Sequence, residues 1–247
     1  MTDARPRTHE LVLRHIEGEL SSGRLKLGAK LPAERALAGQ LGVSRPSIRE
    51  AIRVLEAMGV IRTSVGSGPD AGAVVVADPA AGITSAFRLH LASSHLPMFD
   101  VVQTRLLLEA WSVREAAAQQ DEGQLAIAAD LLDQMDDRAM SAADFHLLDA
   151  EFHVSLARAT GNEVVAAIMT SLRGAIHHYV LGAVPALPDW AATARRLRRQ
   201  HRAILAAIDS GDGELAATLV VRHIEGFYRE AAVSTAAADP AQSPPSA

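Results

Sequence analysis

Two residues in the second half of the chain have the types and the spacing of metal ligands. Asp149 and His153 are four positions apart, so on a helix their side chains lie on the same face. Neighbouring leucine and phenylalanine residues, among them Leu148 and Phe152, supply an apolar surface beside this pair. An ionisable pair next to such a surface is expected to point toward the interior of a helical domain.

Two further histidines lie on opposite sides of a glycine-containing turn. His201 is ten residues before Gly211, and His223 is ten residues after Gly213. At about 1.5 Å of rise per residue, each imidazole stands about 15 Å from the turn, so a helical hairpin would bring the two level. One carboxylate and three imidazoles form a ligand set suited to zinc, nickel or manganese, with positions left open for water or a ligand carboxylate.

Each of these residues also has a simpler interpretation. A single histidine in a helical bundle is more often a hydrogen-bonded packing residue than a ligand. Asp149 and His153 could form an ordinary helix-stabilising pair, and His201 could continue the solvated basic face of residues 195–199. The matching levels of His201 and His223 argue against coincidence, but on spacing alone the metal and packing interpretations both stay open.

The segment that must position these residues has a helical pattern throughout. From Asp78 onward alanine and leucine dominate, and prolines, glycines and capping residues interrupt the pattern at regular intervals. Short connections between the helices predict an antiparallel, all-helical bundle. The predicted helices span residues 79–93, 98–118, 121–138, 142–159, 162–183, 189–209 and 213–233.

A helix-turn-helix pattern occupies residues 31–59. The first helix opens after Pro32, and Gly42 ends it because glycine enters the left-handed region at no steric cost. Ser44 can cap the second helix, whose first turns expose Arg45, Ser47 and Arg49. A DNA-binding helix-turn-helix places these turns in the major groove. Helix–glycine–helix pairs with exposed arginines also occur in proteins that do not bind DNA, so the pattern alone does not decide the function.

The residues after this motif predict a β-hairpin. Val60–Thr63 and Ala73–Ala77 are plausible strands, and the glycine-rich loop Val65–Gly72 joins them. A hairpin directly after a helix-turn-helix is a winged-helix layout, in which glycines let the backbone approach DNA closely.

Composition fits a two-domain, cytoplasmic protein of 247 residues. Cysteine is absent, which excludes disulfides and thiolate metal sites. No signal peptide and no apolar run near the ~20 residues of a membrane span are expected. Residues 1–77 carry a net charge of +3 and the remainder −8, as expected for a basic reading head on an acidic body. We expect residues 1–8 and 234–247 to be disordered.

Residues 9–77 resemble the winged-helix domain of the GntR family of bacterial transcription regulators. The matching segments are LPAERALA, VSRPSIREAIRVLEAMGVI and the GSG of the wing. The resemblance implies that three arginines contact phosphates and base edges, that two serines contact the DNA backbone, and that a wing glycine approaches the groove. These residues are Arg35, Arg45, Arg49, Ser44, Ser47 and Gly66.

The wing departs from the family pattern. Residues 69–72 lengthen the loop where the family passes directly from GxG into a strand, and Asp70 places a negative charge where DNA would approach. Contacts of the wing beyond Gly68 are therefore in doubt.

Residues 98–230 resemble the FCD ligand-binding domain of the FadR subfamily of the same regulators. The matching segments are VVQTRLLLEAWSVREAA, DAEFHVSLARATGN and HRAILAAIDSGDGELAATLVVRHI. Metal-binding members use one Asp and three His as ligands, which here correspond to Asp149, His153, His201 and His223. The presence of all four argues against the acyl-CoA-responsive branch. The resemblance also implies a homodimer and a small carboxylate effector, with residues 78–97 as a linker and connecting helix.

Other residues are weaker candidates for the effector pocket. Arg105 falls where the family carries an arginine and could bind a carboxylate, or it could form a salt bridge with Glu109. Arg173 is a further candidate, and one of the adjacent His177 and His178 could line the cavity, His178 being our choice. The remaining histidines considered are interpreted as surface or packing residues: His90, His95 and His146.

The sequence thus predicts a metabolite-responsive transcription regulator, a repressor released from a palindromic operator by a small organic acid. The alternative is a metal-dependent hydrolase, because an Asp/His₃ centre can activate water. Against the hydrolase, no HExxH, nucleophile or phosphate-binding motif is present. A DNA-architectural protein fits poorly with an acidic body that is larger than the DNA-binding head.

Overall fold

The computed structural model describes residues 8–64, 72–76, 78–93, 96–187 and 189–238. The chain divides between Ile83 and Thr84 into two compact units, and this division falls within the predicted connecting segment 78–97. The first unit is a winged helix-turn-helix and the second is a helical bundle, so the predicted fold class is confirmed.

In its described residues up to position 76, the N-terminal unit has three helices and a two-stranded antiparallel sheet. In the sheet Ile61 pairs with Val75, and Lys30 forms an isolated bridge to Val74. The strands are displaced by one or two residues from the predicted ranges, and the wing loop 65–71 lies outside the described residues. The elements are α1 Thr8–Ser21, α2 Glu34–Leu41, α3 Arg45–Ala57, β1 Ile61–Ser64 and β2 Gly72–Val75.

The helix-turn-helix forms as its sequence predicts. Gly42 takes φ 64° and ends α2, and Ser44 caps α3 by accepting a hydrogen bond from the Ser47 amide at 3.3 Å. The apolar side of α3, including the fully buried Ile48, packs in one core with residues of α1 and the wing. Burial of that side leaves the arginines of α3 on the outer surface.

A second glycine is required after α3. Gly59 has φ 72°, and a Cβ built on it would stand 2.1 Å from the backbone oxygen of Asp78. Only a residue without a side chain can pass this carbonyl.

The C-terminal unit contains the remaining helices of the described chain, which lie close to the predicted ranges. Side chains of Asp121, Ser141, Asn162 and Asp189 cap four of them. The elements are α4 Pro79–Ala92 (which contains the division), α5 Met98–Gln119, α6 Glu122–Met135, α7 Ala142–Arg158, α8 Glu163–Ala183, a 3-10 turn Val184–Ala186, α9 Trp190–Asp209 and α10 Gly213–Ala238.

Three helix ends differ from the prediction. Helix α1 already includes Thr8, and α10 continues to Ala238, although residues 234–247 were expected to be disordered. Alanines at 236–238 have the highest helix propensity of any residue, and Pro240 follows in the sequence. Helix α6 ends at Met135 rather than at residue 138, and Arg198 donates to the carbonyl oxygens of Met135 and Asp137, which the helix leaves without a partner.

The bundle core lies between α5, α6, α7, α9 and α10, with α8 packed against α7. Helix α8 contains Glu163–Gly182, a stretch long and apolar enough to cross a membrane by length and composition alone. The prediction that no run approaches this length is therefore wrong. Within the structure 44% of this stretch is buried, as expected of a helix whose apolar side packs in a bundle.

Candidate metal centre

The bundle brings four ligand atoms together from three helices. Helix α7 supplies Asp149 and His153, α9 supplies His201 and α10 supplies His223, and all four residues are buried. Nε2 of His223 lies 3.2 Å from Nε2 of His153 and 3.2 Å from Nε2 of His201. Oδ1 of Asp149 lies 3.0 Å from Nε2 of His201 and 3.8 Å from Nε2 of His153.

These separations fit a divalent metal of the first transition row. Ligands at about 2.0–2.1 Å from such an ion lie about 3.4 Å apart in a tetrahedron and about 2.9 Å apart as neighbours in an octahedron. Three of the observed distances, 3.0, 3.2 and 3.2 Å, fall in this range, whereas the separation of Asp149 and His153 is longer, at 3.8 Å. One carboxylate and three imidazoles suit zinc, nickel or manganese equally in donor type.

Outer partners orient two of the three imidazoles. Nδ1 of His223 lies 3.1 Å from Oε1 of Gln200, and Nδ1 of His153 lies 2.5 Å from Oε2 of Glu109. The second pair is an ion-pair contact that lacks the alignment of a hydrogen bond. Because both oxygens only accept, the ring protons are expected on Nδ1, which leaves the Nε2 lone pairs facing one another. Such partners are typical of metal-bound histidines.

Glu109 also anchors a buried arginine. Its Oε1 accepts from Nε and Nη2 of Arg105 at 2.9 and 2.7 Å, and Nη1 of Arg105 donates to the hydroxyl of Tyr228 at 2.9 Å. The salt bridge considered as an alternative role for Arg105 is therefore formed. Arg105 lines a cavity as well, so the two roles are compatible.

Arg173 of α8 is the second buried arginine of the site. Its Nη2 donates to Oδ2 of Asp149, while Oδ1 of that carboxylate faces the histidines. Nη1 of Arg173 stands 4.0 Å from Oε1 of Glu109. Two arginines and two carboxylates thus surround the histidine cluster.

Burial and these neighbours set the protonation of the site. Burial lowers the pKa of His153, and burial together with the neighbouring imidazoles holds the pKa of His223 well below its usual value. Burial opposes ionisation of the carboxyls, but Arg105 beside Glu109 and Arg173 beside Asp149, together with the neighbouring imidazoles, outweigh it, so both carboxyl pKa values lie well below their usual range. Ionised carboxylates and neutral imidazoles are the forms that bind metals.

A cavity of about 30 Å³ opens beside the ligand set, with room for about two water molecules. Its polar lining includes Asp149, His223 and the effector candidates Arg105 and Arg173. His178 lies on α8, and its side chain is outside the described residues; its neighbour His177 lines the cavity.

The other histidines differ in position. His146, interpreted as a surface or packing residue, is buried against Trp190 and Phe227 and also lines the cavity. His90 is exposed on α4, and His95 lies outside the described residues.

The predicted DNA-binding residues that the structure describes lie on α2, at the start of α3 and in the turn between them. Arg35, Arg45 and Arg49 are exposed. The hydroxyls of Ser44 and Ser47 lie 2.9 Å apart at the start of α3. Gly66 lies outside the described residues. The sequence analysis did not identify an acidic residue next to them, a glutamate of α2 that contacts Arg45 and Arg49.

Two family models match the chain. The model for bacterial regulatory proteins of the gntR family matches residues 8–69, and the FCD domain model matches residues 100–226. The chain belongs to the GntR family. It is a DNA-binding transcription regulator with an FCD effector-binding domain, and the metal-dependent hydrolase considered above is excluded.

Curated relatives agree with this assignment. The Glc operon transcriptional activator of Escherichia coli K12 is 28% identical over 214 residues, which cover 84% of this chain and 82% of that protein. The transcriptional repressor NanR of Cronobacter sakazakii is 29% identical over 232 residues, covering 91% and 85%. A solved GntR structure from Streptococcus agalactiae has the same fold, with a TM-score of 0.60, 24% identity and coverage of 90% and 100%.

Three residues of this GntR regulator's candidate metal centre were not identified from the sequence as parts of it. Glu109 was noted only as a salt-bridge partner, and Gln200 and Tyr228 were not considered. Each reaches the site through contacts between helices distant in the chain. The only sequence signal is the spacing of Arg105 and Glu109 on one helix face.

Proposed function

We propose that this regulator is a repressor that a small organic acid releases from a palindromic operator by binding beside a divalent metal in the FCD domain. The observation that carries the proposal is the buried set of one aspartate and three histidines, adjoining a cavity lined by Arg105 and Arg173. Zinc is our first choice of metal, with nickel and manganese as alternatives.

The charges around the set support an anionic effector. Arg105 and Arg173 balance Glu109 and Asp149, so with neutral histidines the buried charges cancel. A divalent cation held by Asp149 and the histidines would leave two uncompensated positive charges beside the cavity. Unpaired buried charge is costly, and a carboxylate effector removes part of that cost.

Each group has a proposed role in binding the effector. The metal supplies positive charge and open coordination positions to a carboxylate oxygen. Arg105 and Arg173 orient the effector through their guanidinium groups, and His178 contributes from α8. Tyr228 holds Arg105 in place through its hydroxyl.

The N-terminal unit provides the operator contacts. Residues 9–77 bind the operator through Arg35, Arg45, Arg49, Ser44, Ser47 and Gly66. A homodimer presents two such heads to the two half-sites of a palindrome in the cytoplasm. The effector acts through the linker around Ala77–Gly82, and it changes operator affinity only insofar as it binds the two arrangements of the protein differently.

Substitution of two ligands tests the proposal. The wild-type protein first selects its operator from a random duplex library, and a thermal-shift screen of carboxylates, with and without a chelator, identifies the effector. We expect His201→Ala/His223→Ala to lose bound metal, measured by elemental analysis, and to lose release by the effector. Operator binding itself should persist, because the DNA-binding unit is unchanged.

The matched control is His90→Ala, which removes an exposed histidine and should leave metal content and release intact. A double variant that folds and still releases the operator normally would show that the response does not depend on the metal.

A further inference from the structure

The DNA-facing surface of the N-terminal unit contains a carboxylate between two arginines. Oε2 of Glu34, the first residue of α2, accepts from Nε of Arg49 at 3.0 Å and lies 3.8 Å from Nη2 of Arg45. The side chains are 34%, 54% and 57% exposed for Glu34, Arg49 and Arg45. The three charged groups therefore form one cluster, open to solvent, that joins α2 to the first turns of α3.

A carboxylate at this place weakens binding to any duplex. The DNA backbone carries closely spaced negative charges, and affinity without sequence preference depends on the cations that face it. Glu34 repels phosphates, and its contacts with two arginines compensate part of the positive charge that would otherwise attract phosphates. An exposed ion pair also adds little stability, so stability alone is a poor reason for this arrangement.

The same contact gives Arg49 a defined orientation. Glu34 occupies Nε, and Nη1 and Nη2 stay available at the outer end of the guanidinium group. Two parallel N–H donors are what recognition of the O6 and N7 atoms of guanine requires. Holding the side chain in advance also reduces the rotamer entropy lost on binding.

We infer that Glu34 is a specificity-determining residue, which positions Arg49 and Arg45 for base edges and lowers affinity for unrelated DNA. The inference rests on the proposed DNA contacts of these two arginines and is independent of the metal and the effector. In this role Glu34 touches no base. It acts through the arginines, and its carboxylate charge lowers the affinity of every complex in which those arginines do not contact the correct bases.

Two variants separate the charge of Glu34 from its position. Glu34→Gln removes the charge and keeps an acceptor of similar reach, and Glu34→Asp keeps the charge but withdraws it by one methylene. Glu50→Gln is the matched control, because Glu50 is an exposed residue of α3 next to Arg49 in sequence, with the same change of charge. Full-length protein is used throughout, and circular dichroism checks the fold.

Affinity is measured for two duplexes of equal length, the one selected by the wild-type protein from a random library and a scrambled version of it, over a range of salt. We expect Glu34→Gln to bind the scrambled duplex about fivefold to tenfold more tightly, with a steeper salt dependence. Both Glu34 variants should lose about tenfold in the ratio of selected to scrambled affinity, and Glu50→Gln should keep the wild-type ratio.

An unchanged affinity ratio in Glu34→Gln and Glu34→Asp would overturn the inference. A fall in the ratio of the same size in Glu50→Gln would also overturn it, because the effect would then be one of net charge. If the wild-type protein selects no sequence at all, the proposed operator-binding function fails, and that result is distinct from either outcome.

Discussion

Gln200 and His223 face each other across the α9–α10 hairpin, with Oε1 of the amide 3.1 Å from Nδ1 of the imidazole. The opposite nitrogen of the same ring points at His153 and His201. Gln200 therefore sets which nitrogen carries the proton, although it is not a ligand itself. Of the two oriented imidazoles, His223 has this neutral amide acceptor, whereas His153 has the carboxylate of Glu109.

Changing the acceptor at Gln200 should change metal affinity in a direction that depends on its charge. Gln200→Glu places a carboxylate against His223, which increases the basicity of the ring, so we expect tighter zinc binding. Gln200→Ala removes the acceptor and should weaken zinc binding about 10–100-fold. Competition with a chromophoric chelator measures both affinities.

Gln103→Glu is the control for the added negative charge, since Gln103 is exposed on α5. Its zinc affinity should match that of the wild type. Equal zinc affinity in Gln200→Glu and Gln200→Ala would mean that the contact does not act on the metal.

The buried histidines should make the metal-free protein sensitive to acid. The pKa values of His146, His153 and His223 are lowered by burial from a usual value of 6.5. At a pH between the pKa of such a histidine in the folded protein and its pKa in the unfolded chain, the unfolded chain binds more protons than the folded protein. The contribution of these histidines to the free energy of unfolding is therefore complete above pH 6.5 and is lost as the pH falls. Each histidine contributes a slope of about 1.4 kcal/mol per pH unit. The lowered pKa values of Asp149 and Glu109 act in the same direction below their usual values of 3.8 and 4.5.

Urea denaturation in the presence of a chelator, repeated between neutral pH and pH 5, measures this dependence. His223→Gln should reduce the steepness by about one proton, whatever its effect on stability at neutral pH. A free energy of unfolding that is flat over this range would contradict the lowered pKa values.

Two glycines of the N-terminal unit should differ in their tolerance of a methyl group. Gly42 and Gly59 both have positive φ, but a Cβ on Gly42 meets nothing within 4 Å, whereas one on Gly59 collides with the carbonyl of Asp78. Gly42→Ala should cost about 1–2 kcal/mol from backbone conformation alone. Gly59→Ala should cost clearly more, because backbone must move.

Hydrogen exchange of the α3 amides measures the stability of the N-terminal unit specifically. Tryptophan fluorescence would not, because both tryptophans of the chain lie in the C-terminal unit. Equal losses of protection in the two variants would show that the close approach at Asp78 is easily relieved.

Local signals in the sequence predicted much of the architecture. Capping residues and glycines placed most helix ends within one or two residues, because caps act on their own turn. Counting residues along two antiparallel helices predicted that His201 and His223 lie at the same distance from the turn that joins them. In the structure their Nε2 atoms are 3.2 Å apart.

Contacts between distant segments could not be predicted in this way. The pairing of Glu34 with Arg49 depends on the angle between α2 and α3, and the approach of Glu109 to His153 depends on how α5 packs on α7. Neither angle is encoded in a local pattern. Helix α10 extends beyond its predicted end. This extension could not be predicted because alanine-rich sequence is compatible with both helix and disorder.

The depth of the ligand set has a kinetic consequence. All four ligand residues are buried, and they come from three helices that must pack before the ligand atoms meet. Exchange of a bound ion would therefore require a local opening of the bundle, at a rate set by protein motion rather than by diffusion. On the timescale of a changing effector concentration, a bound ion would then behave as a permanent part of the domain.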